Sequence, residues 1–110
     1  MKKIVKNYNL TDKREQYNFL NAPSEKMSDH IGERLEIARW AIIEDVNSDG
    51  EVRTSFVCED TEGVRYGTNS RSFLDGLETY FNVFDDAPLT SFEVGSRKNK
   101  SGRPYVVFIA

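Results

Sequence analysis

The side chains best suited to chemistry in this chain are four cations close to its end. Arg97, Lys98, Lys100 and Arg103 lie within "RKNKSGR", residues 97–103, and no acidic residue lies among them. Four uncompensated positive charges repel one another, so such a cluster is seldom gathered for stability and is suited to binding a polyanion. The alternative interpretation is a solvated hairpin turn whose charges have no partner.

The charge of the whole chain is unevenly distributed. The formal net charge is −3, but residues 1–6 carry +3, residues 97–103 carry +4 and the remainder carries −10. Net charge alone argues against a nucleic-acid partner. The distribution of charge, however, predicts a local positive surface on a protein whose remaining surface is negative and would repel a polyanion. Ordinary unevenness of surface charge is the alternative.

The residues that usually carry catalysis are sparse. His30 is the single histidine and Cys58 the single cysteine, which leaves zinc clusters and a Cys/His nucleophile pair without support. Three pairs of adjacent acids could bind Mg²⁺, but acids at the ends of strands and helices are far more often solvated: Glu44–Asp45, Glu59–Asp60 and Asp85–Asp86. The sequence therefore predicts no enzyme and no cofactor.

Length and composition indicate one domain over residues 1–110. The hydrophobic fraction of 38% suffices for a small core, and no run approaches the roughly 18 apolar residues of a membrane span. The opening "MKKIVKNYNL" has no apolar segment of the kind found in signal peptides. A lone cysteine, Cys58, excludes a disulfide scaffold and favours a reducing, cytoplasmic location.

The first 33 residues are predicted to form an N-terminal arm and a helical segment. Residues 1–10 fit an extended arm or an edge strand. The run "TDKREQYNFLNA" begins with Thr11, a good N-cap, and ends before Pro23, because the residue before a proline disfavours the helical region.

Residues 34–110 predict a barrel with five strands and one helix, in the order β-β-β-α-β-β. Turn signals at "NSDG" and "TEG" separate the first three strands, and apolar residues at helical spacing mark one helix between the third and fourth. The segments in order are "ERLEIARWAIIEDV", "EVRTSFVCED", "VRYGTN", "SRSFLDGLETYFNVF", "LTSFEVGS" and "PYVVFIA". This order is that of an OB-like barrel, and an α+β sandwich is the alternative.

An OB-like barrel predicts where cations would meet a ligand. Such barrels bind oligonucleotides on the face of strands two and three, flanked by the loops that join strands one to two and four to five. The loop between strands four and five is residues 97–103, whereas "NSDG" is acidic. Arg53 and Arg65 lie on strands two and three and Arg39 on strand one, so all three are candidates for phosphate contacts.

Binding of single strands also needs exposed aromatic side chains on which bases stack. Tyr66 and Tyr105 are the best candidates because tyrosine is amphipathic, and Trp40 beside Arg39 is a third. A small barrel must bury several aromatic residues, and those expected in the core are Phe56, Phe92 and Phe108.

Four longer segments resemble one protein family. "NYNLTDKREQYNFLNA", "SDHIGERLEI", "YGTNSRSFLDGLETYF" and "GSRKNKSGRPYVVF" are similar to small single-stranded DNA-binding proteins of tailed bacteriophages, especially those that infect Gram-positive hosts. The resemblance implies an OB-type barrel that coats single-stranded DNA during phage replication or recombination. The matching positions are Tyr66, Asn69 to Arg71 and Arg97 to Tyr105.

The leading hypothesis is therefore a non-enzymatic protein that binds single-stranded DNA without sequence specificity in the host cytoplasm. Its expected contact residues are Arg39, Trp40, Arg53, Arg65, Tyr66, Arg71, Arg97, Lys98, Lys100, Arg103 and Tyr105. Further expected partners are phage or host replication proteins or a second copy of the chain, and no membrane. The alternatives are an inhibitor that mimics nucleic acid with its acidic body, and an interaction module that uses a free strand edge.

Overall fold

The computed structural model describes residues 1–21, 23–85 and 88–110 and is mainly β. Its described part holds seven strands and two α-helices, with a 3₁₀ turn at Met27–His30. The elements in order are β1 Lys2–Tyr8, α1 Lys13–Asn21, β2 Glu25–Lys26, β3 Arg34–Val46, β4 Val52–Asp60, β5 Arg65–Thr68, α2 Arg71–Phe84, β6 Ser91–Lys98 and β7 Pro104–Ile109.

The strands form a curled, open sheet organised around β3. Its strand order is β2-β5-β4-β3-β6-β7, and β1 also pairs with β3. The first residues of β3 pair with β6, while residues 40–45 pair with both β1 and β4. A register shift between Ile37 and Arg39 marks the change of partner, and such bulges bend a strand. The curl therefore follows from one long strand that belongs to both halves of the sheet.

The core of this sheet is rich in phenylalanine. Phe56, Phe73 and Phe92 are fully buried, with ring centroids 5.4–5.9 Å apart. Phe56 and Phe92 confirm the sequence expectation, and Phe108 is partly buried against the same cluster. Phe73 comes from α2, so this helix closes the core by packing across the sheet.

Helix α2 begins at a serine cap that also contacts the sheet. Ser70 is the N-cap, and its hydroxyl accepts a hydrogen bond from the backbone N–H of Phe73. The same hydroxyl donates to the carbonyl of Val106 on β7 at 2.6 Å, so the cap also ties the helix to the sheet. This long-range bond fixes the Ser70 side chain in the position from which it caps the helix.

The mainly β, barrel-like architecture predicted from the sequence is confirmed, but the count of five strands is wrong. In the described residues β1 and β2 add two strands, and β1 precedes α1, so the N-terminal segment opens with a strand. Strand β1 confirms the strand alternative predicted for residues 1–10, and Ile4 and Tyr8 are its two positions that are not exposed. Asp86 and the predicted helix end at Ala22 lie outside the described residues. No described helix is long and apolar enough to cross a membrane.

Candidate nucleic-acid interface

The basic cluster lies at the tip of the β6–β7 hairpin. The side chain of Asn99 shapes this turn, because its Oδ1 accepts hydrogen bonds from the backbone N–H groups of Ser101 at 3.0 Å and Arg103 at 2.9 Å. Gly102 adopts φ +83°, a conformation that favours glycine. The turn is thus organised without help from the cations themselves.

The four cations of the hairpin, Arg97, Lys98, Lys100 and Arg103, are all exposed. Across residues 1–21, 23–85 and 88–110, no carboxylate lies within 4.0 Å of any of their charged groups. Their charges are therefore screened by solvent and ions alone, and a polyanion that replaces those ions would release them. We call these four residues and their turn the basic hairpin.

An aromatic ring lies beside the basic hairpin. Tyr105 is half-buried and pairs directly with Arg97 across the two antiparallel strands. Residues opposite each other in such a pair project their side chains from the same face. The hairpin thus presents a guanidinium group and a phenol ring side by side, which is the combination that single-strand binding requires.

Arg71 lines a cleft together with Tyr105, and it lines a second cleft together with Arg53. Arg71 is in the first turn of α2, and its nearest acid is Asp75 at 3.8 Å, with both side chains well exposed. Arg53 is exposed on β4 and lines a cleft of about 590 Å³ together with Arg71 and Asn69. Both arginines are thus exposed to solvent.

Arg39 and Arg65 keep only 25% and 22% of their side-chain surface exposed, because α1 covers their face of the sheet. Arg39 Nη1 pairs with Glu15 of α1, 2.6 Å from Oε2. Arg65 Nη1 donates to the carbonyl of Asn18 at 3.3 Å, and its guanidinium lies 4.8 Å from the centre of the Phe19 ring.

Helix α1 is held on this face by a second, smaller core. Phe19 is buried there with Leu10, Ala41 and Ile43, and Val57 packs at its edge. Arg39 and Arg65, the predicted candidates for phosphate contacts, are therefore mostly covered and paired with acids, and they lie outside the interface proposed below. The apolar pair Phe19 and Leu20 was the signal that could have indicated this, since an amphipathic helix needs an apolar partner.

The predicted exposure of Trp40 and Tyr66 is also wrong. Trp40 is 3% exposed, and its indole N–H donates to the carbonyl of Leu89 at 3.2 Å. Tyr66 is 6% exposed, and its hydroxyl donates to Asp60 at 3.2 Å. Burial and the Asp60 charge raise the pKa of Tyr66 to about 12. Neither ring has a free face for a base, because both side chains complete the main core.

Cys58 is a core residue, as expected. It lies fully buried on β4, and burial raises the pKa of its thiol. A thiol that stays protonated at neutral pH is a poor nucleophile.

A histidine clasp that the sequence did not reveal holds β2 against β5. His30 Nδ1 lies 2.8 Å from Glu33 Oε2, and Nε2 lies 2.9 Å from Glu25 Oε1 on β2. The imidazole also packs edge-on against Tyr66, with ring centroids 4.7 Å apart. Partial burial lowers the pKa of His30, but the hydrogen bonds and charges of Glu33 and Glu25 outweigh it and leave the pKa raised.

The clasp predicts a pH-dependent contribution to stability. Because the folded-state pKa of His30 is raised, this contribution is complete below its ordinary pKa of about 6.5 and is lost as pH rises through the folded-state value. The free energy of unfolding of the wild type should therefore exceed that of His30→Gln by more at pH 5.5 than at pH 8.5. Urea unfolding at the two pH values measures this, and an equal difference at both would contradict the clasp.

Comparisons of the chain with protein-family models, curated proteins and solved structures found no match. The assignment of the interface therefore depends on the geometry and charge described above.

Proposed function

We propose that this protein binds single-stranded DNA without sequence specificity through the basic hairpin. The observation that carries the proposal is the set of four exposed cations without an acidic partner in the described structure. Lysine and arginine that neutralise phosphates release condensed counterions, which supplies most of the affinity of non-specific binding.

Tyr105 gives the hairpin a preference for single strands. A ring beside Arg97 offers a stacking surface to an unpaired base, and every base has a face that can use it. A base in a duplex is already stacked on both sides and gains nothing from Tyr105. The proposed contact residues are thus the basic hairpin, Tyr105, Arg71 and Arg53.

The strand order supports an OB-type architecture for this function. Strands β3, β4, β5, β6 and β7, with α2 between β5 and β6, follow the order of a five-stranded OB barrel that is left open between β5 and β7. In that architecture the basic hairpin is the loop between strands four and five, which borders the usual ligand site. With the resemblance to phage proteins, this favours coating of single-stranded DNA during phage replication or recombination.

The proposal is tested by titrating the protein into fluorescein-labelled oligo(dT) and into a labelled duplex of equal length. Fluorescence anisotropy should show tighter binding to the single strand. The emission of Trp40 should change little on saturation, because this ring is 3% exposed and contacts no base. Equal affinity for both oligonucleotides would contradict the stacking role, and absence of binding to either would contradict the function.

A further inference from the structure

An open cleft of about 520 Å³ lies next to the basic hairpin, in the gap between β5 and β7. Its volume is within the range of sites that hold small ligands. The side chains that characterise it are Lys26, Ser28, Asn69, Arg71, Ser72 and Tyr105. Tyr105 lines this cleft and pairs with Arg97 of the basic hairpin, so the two surfaces adjoin each other.

The cleft is unusual in its charge. Its described lining includes two cations, Lys26 and Arg71, and no carboxylate. Lys26 is exposed on β2, and within the described chain no acid lies within 4.0 Å of its ammonium group. The whole chain has more acidic residues than basic ones, 18 against 15, so the charge of this cleft is opposite in sign to that of the whole chain.

The neighbouring cleft shows the contrast. It shares Asn69 and Arg71 with the first, but Asp75 and Glu78 also line it. Those carboxylates repel phosphate groups, so a polyanion that reaches Asn69 is favoured on the side of Lys26 and Tyr105.

The position of Lys26 depends on the elements already described. Strand β2 pairs in parallel with β5, Lys26 being opposite Gly67, and the His30 clasp holds Glu25 beside it. A Cβ at Gly67 would lie 2.7 Å from the Ser24 hydroxyl oxygen, so the glycine permits this close approach. The cation is therefore set on a paired strand next to the cleft.

We propose that this cleft binds the nucleotides adjacent to those bound by the basic hairpin, an inference that rests on the proposed function. Lys26 and Arg71 contact phosphodiester groups, the hydroxyl and amide groups of Ser28, Ser72 and Asn69 donate hydrogen bonds, and one base lies against Tyr105. The bound strand then runs from the hairpin tip along β7 towards the first turn of α2.

The test compares Lys26→Ala/Arg71→Ala with the charge-matched Lys13→Ala/Arg14→Ala, whose exposed cations lie on α1 and line none of these clefts. Loss of two phosphate contacts should reduce the magnitude of the salt slope of oligo(dT) binding by about 1.4, and affinity at 0.1 M salt by about 25-fold. The control double variant should keep the wild-type slope. Thermal unfolding checks that both variants are folded.

A second measurement uses the wild type, so it does not depend on a variant. Photo-cross-linking with an oligonucleotide that contains 5-iododeoxyuridine should place modified peptides at Tyr105 or residues 67–72. Wild-type affinity in the cleft variant, or cross-links confined to peptides outside the cleft, would overturn the cleft proposal while leaving the function intact. A wild type that binds no oligonucleotide would instead remove the function itself.

Discussion

Replacing Lys98, Lys100 and Arg103 with alanine is expected to weaken binding of single-stranded oligonucleotides about 100-fold at 0.1 M salt. Each lost phosphate contact reduces the magnitude of the slope of log K against log[salt] by about 0.7. This corresponds to a roughly fivefold loss of affinity at about 0.1 M salt. The three residues are exposed and have no acidic partner in the described structure, so their removal sacrifices no ion pair. Anisotropy titration against labelled oligo(dT) measures the effect.

The triple variant should fold normally. Asn99 and Gly102, which organise the turn, are untouched, and exposed substitutions away from such features usually change stability by less than about 0.5 kcal/mol. The matched control is Lys3→Ala/Lys13→Ala/Arg14→Ala, which removes the same charge from β1 and α1. If both triple variants lost affinity equally, binding would depend on overall charge and the hairpin would have no special part.

Replacing Tyr105 with alanine is expected to weaken single-strand binding by about 5- to 150-fold. This range corresponds to the 1–3 kcal/mol that base–aromatic stacking contributes in alanine substitutions. Tyr105→Phe keeps the ring and should keep most of the affinity. Tyr17→Ala removes a tyrosine that is 65% exposed on α1 and serves as the control.

The salt dependence separates stacking from charge. Tyr105 carries no charge, so its alanine variant should keep the wild-type slope of log K against log[salt] while the whole line moves to weaker binding. Unchanged affinity in Tyr105→Ala, with thermal unfolding like that of the wild type, would remove stacking at this ring from the mechanism.

The basic hairpin could be predicted from the sequence because its determinants are local. Turn residues and four cations occur within residues 97–103, and apolar runs on either side specify the strands. The structure keeps these features together, and residues 96–104 are exposed, so no element of the described chain covers the turn. Arg53 and Arg71 are likewise exposed in the structure.

The stacking residues could not be separated from core residues by pattern. Trp40 and Tyr66 each follow an arginine in the sequence, and like Tyr105 they lie on strands. What distinguishes them is non-local: Trp40 lies against Phe81 of α2 with ring centroids 5.2 Å apart, and Tyr66 contacts His30 of the 3₁₀ turn. The coverage of Arg39 and Arg65 by α1 is likewise a contact between segments far apart in sequence.

The interface proposed from the structure lies at a different place from the one predicted from the sequence. The outer face of β3, β4 and β5, where the sequence predicted a track of arginines, is occupied by α1 through Phe19 and the Arg39–Glu15 pair. The positive surface proposed for binding is instead the basic hairpin, followed by the cleft at Lys26 and Arg71. Binding at the open end of the curled sheet needs no displacement of α1.

The central claim is that the basic hairpin neutralises phosphates, and the salt dependence of oligo(dT) binding tests it most directly. Affinities of the wild type and of the Lys98, Lys100 and Arg103 triple alanine variant should be measured by anisotropy from about 0.05 to 0.3 M salt. The account predicts a steep negative slope for the wild type and a slope smaller in magnitude by about 2 for the variant. Parallel slopes, or a wild-type affinity that does not change with salt, would contradict it.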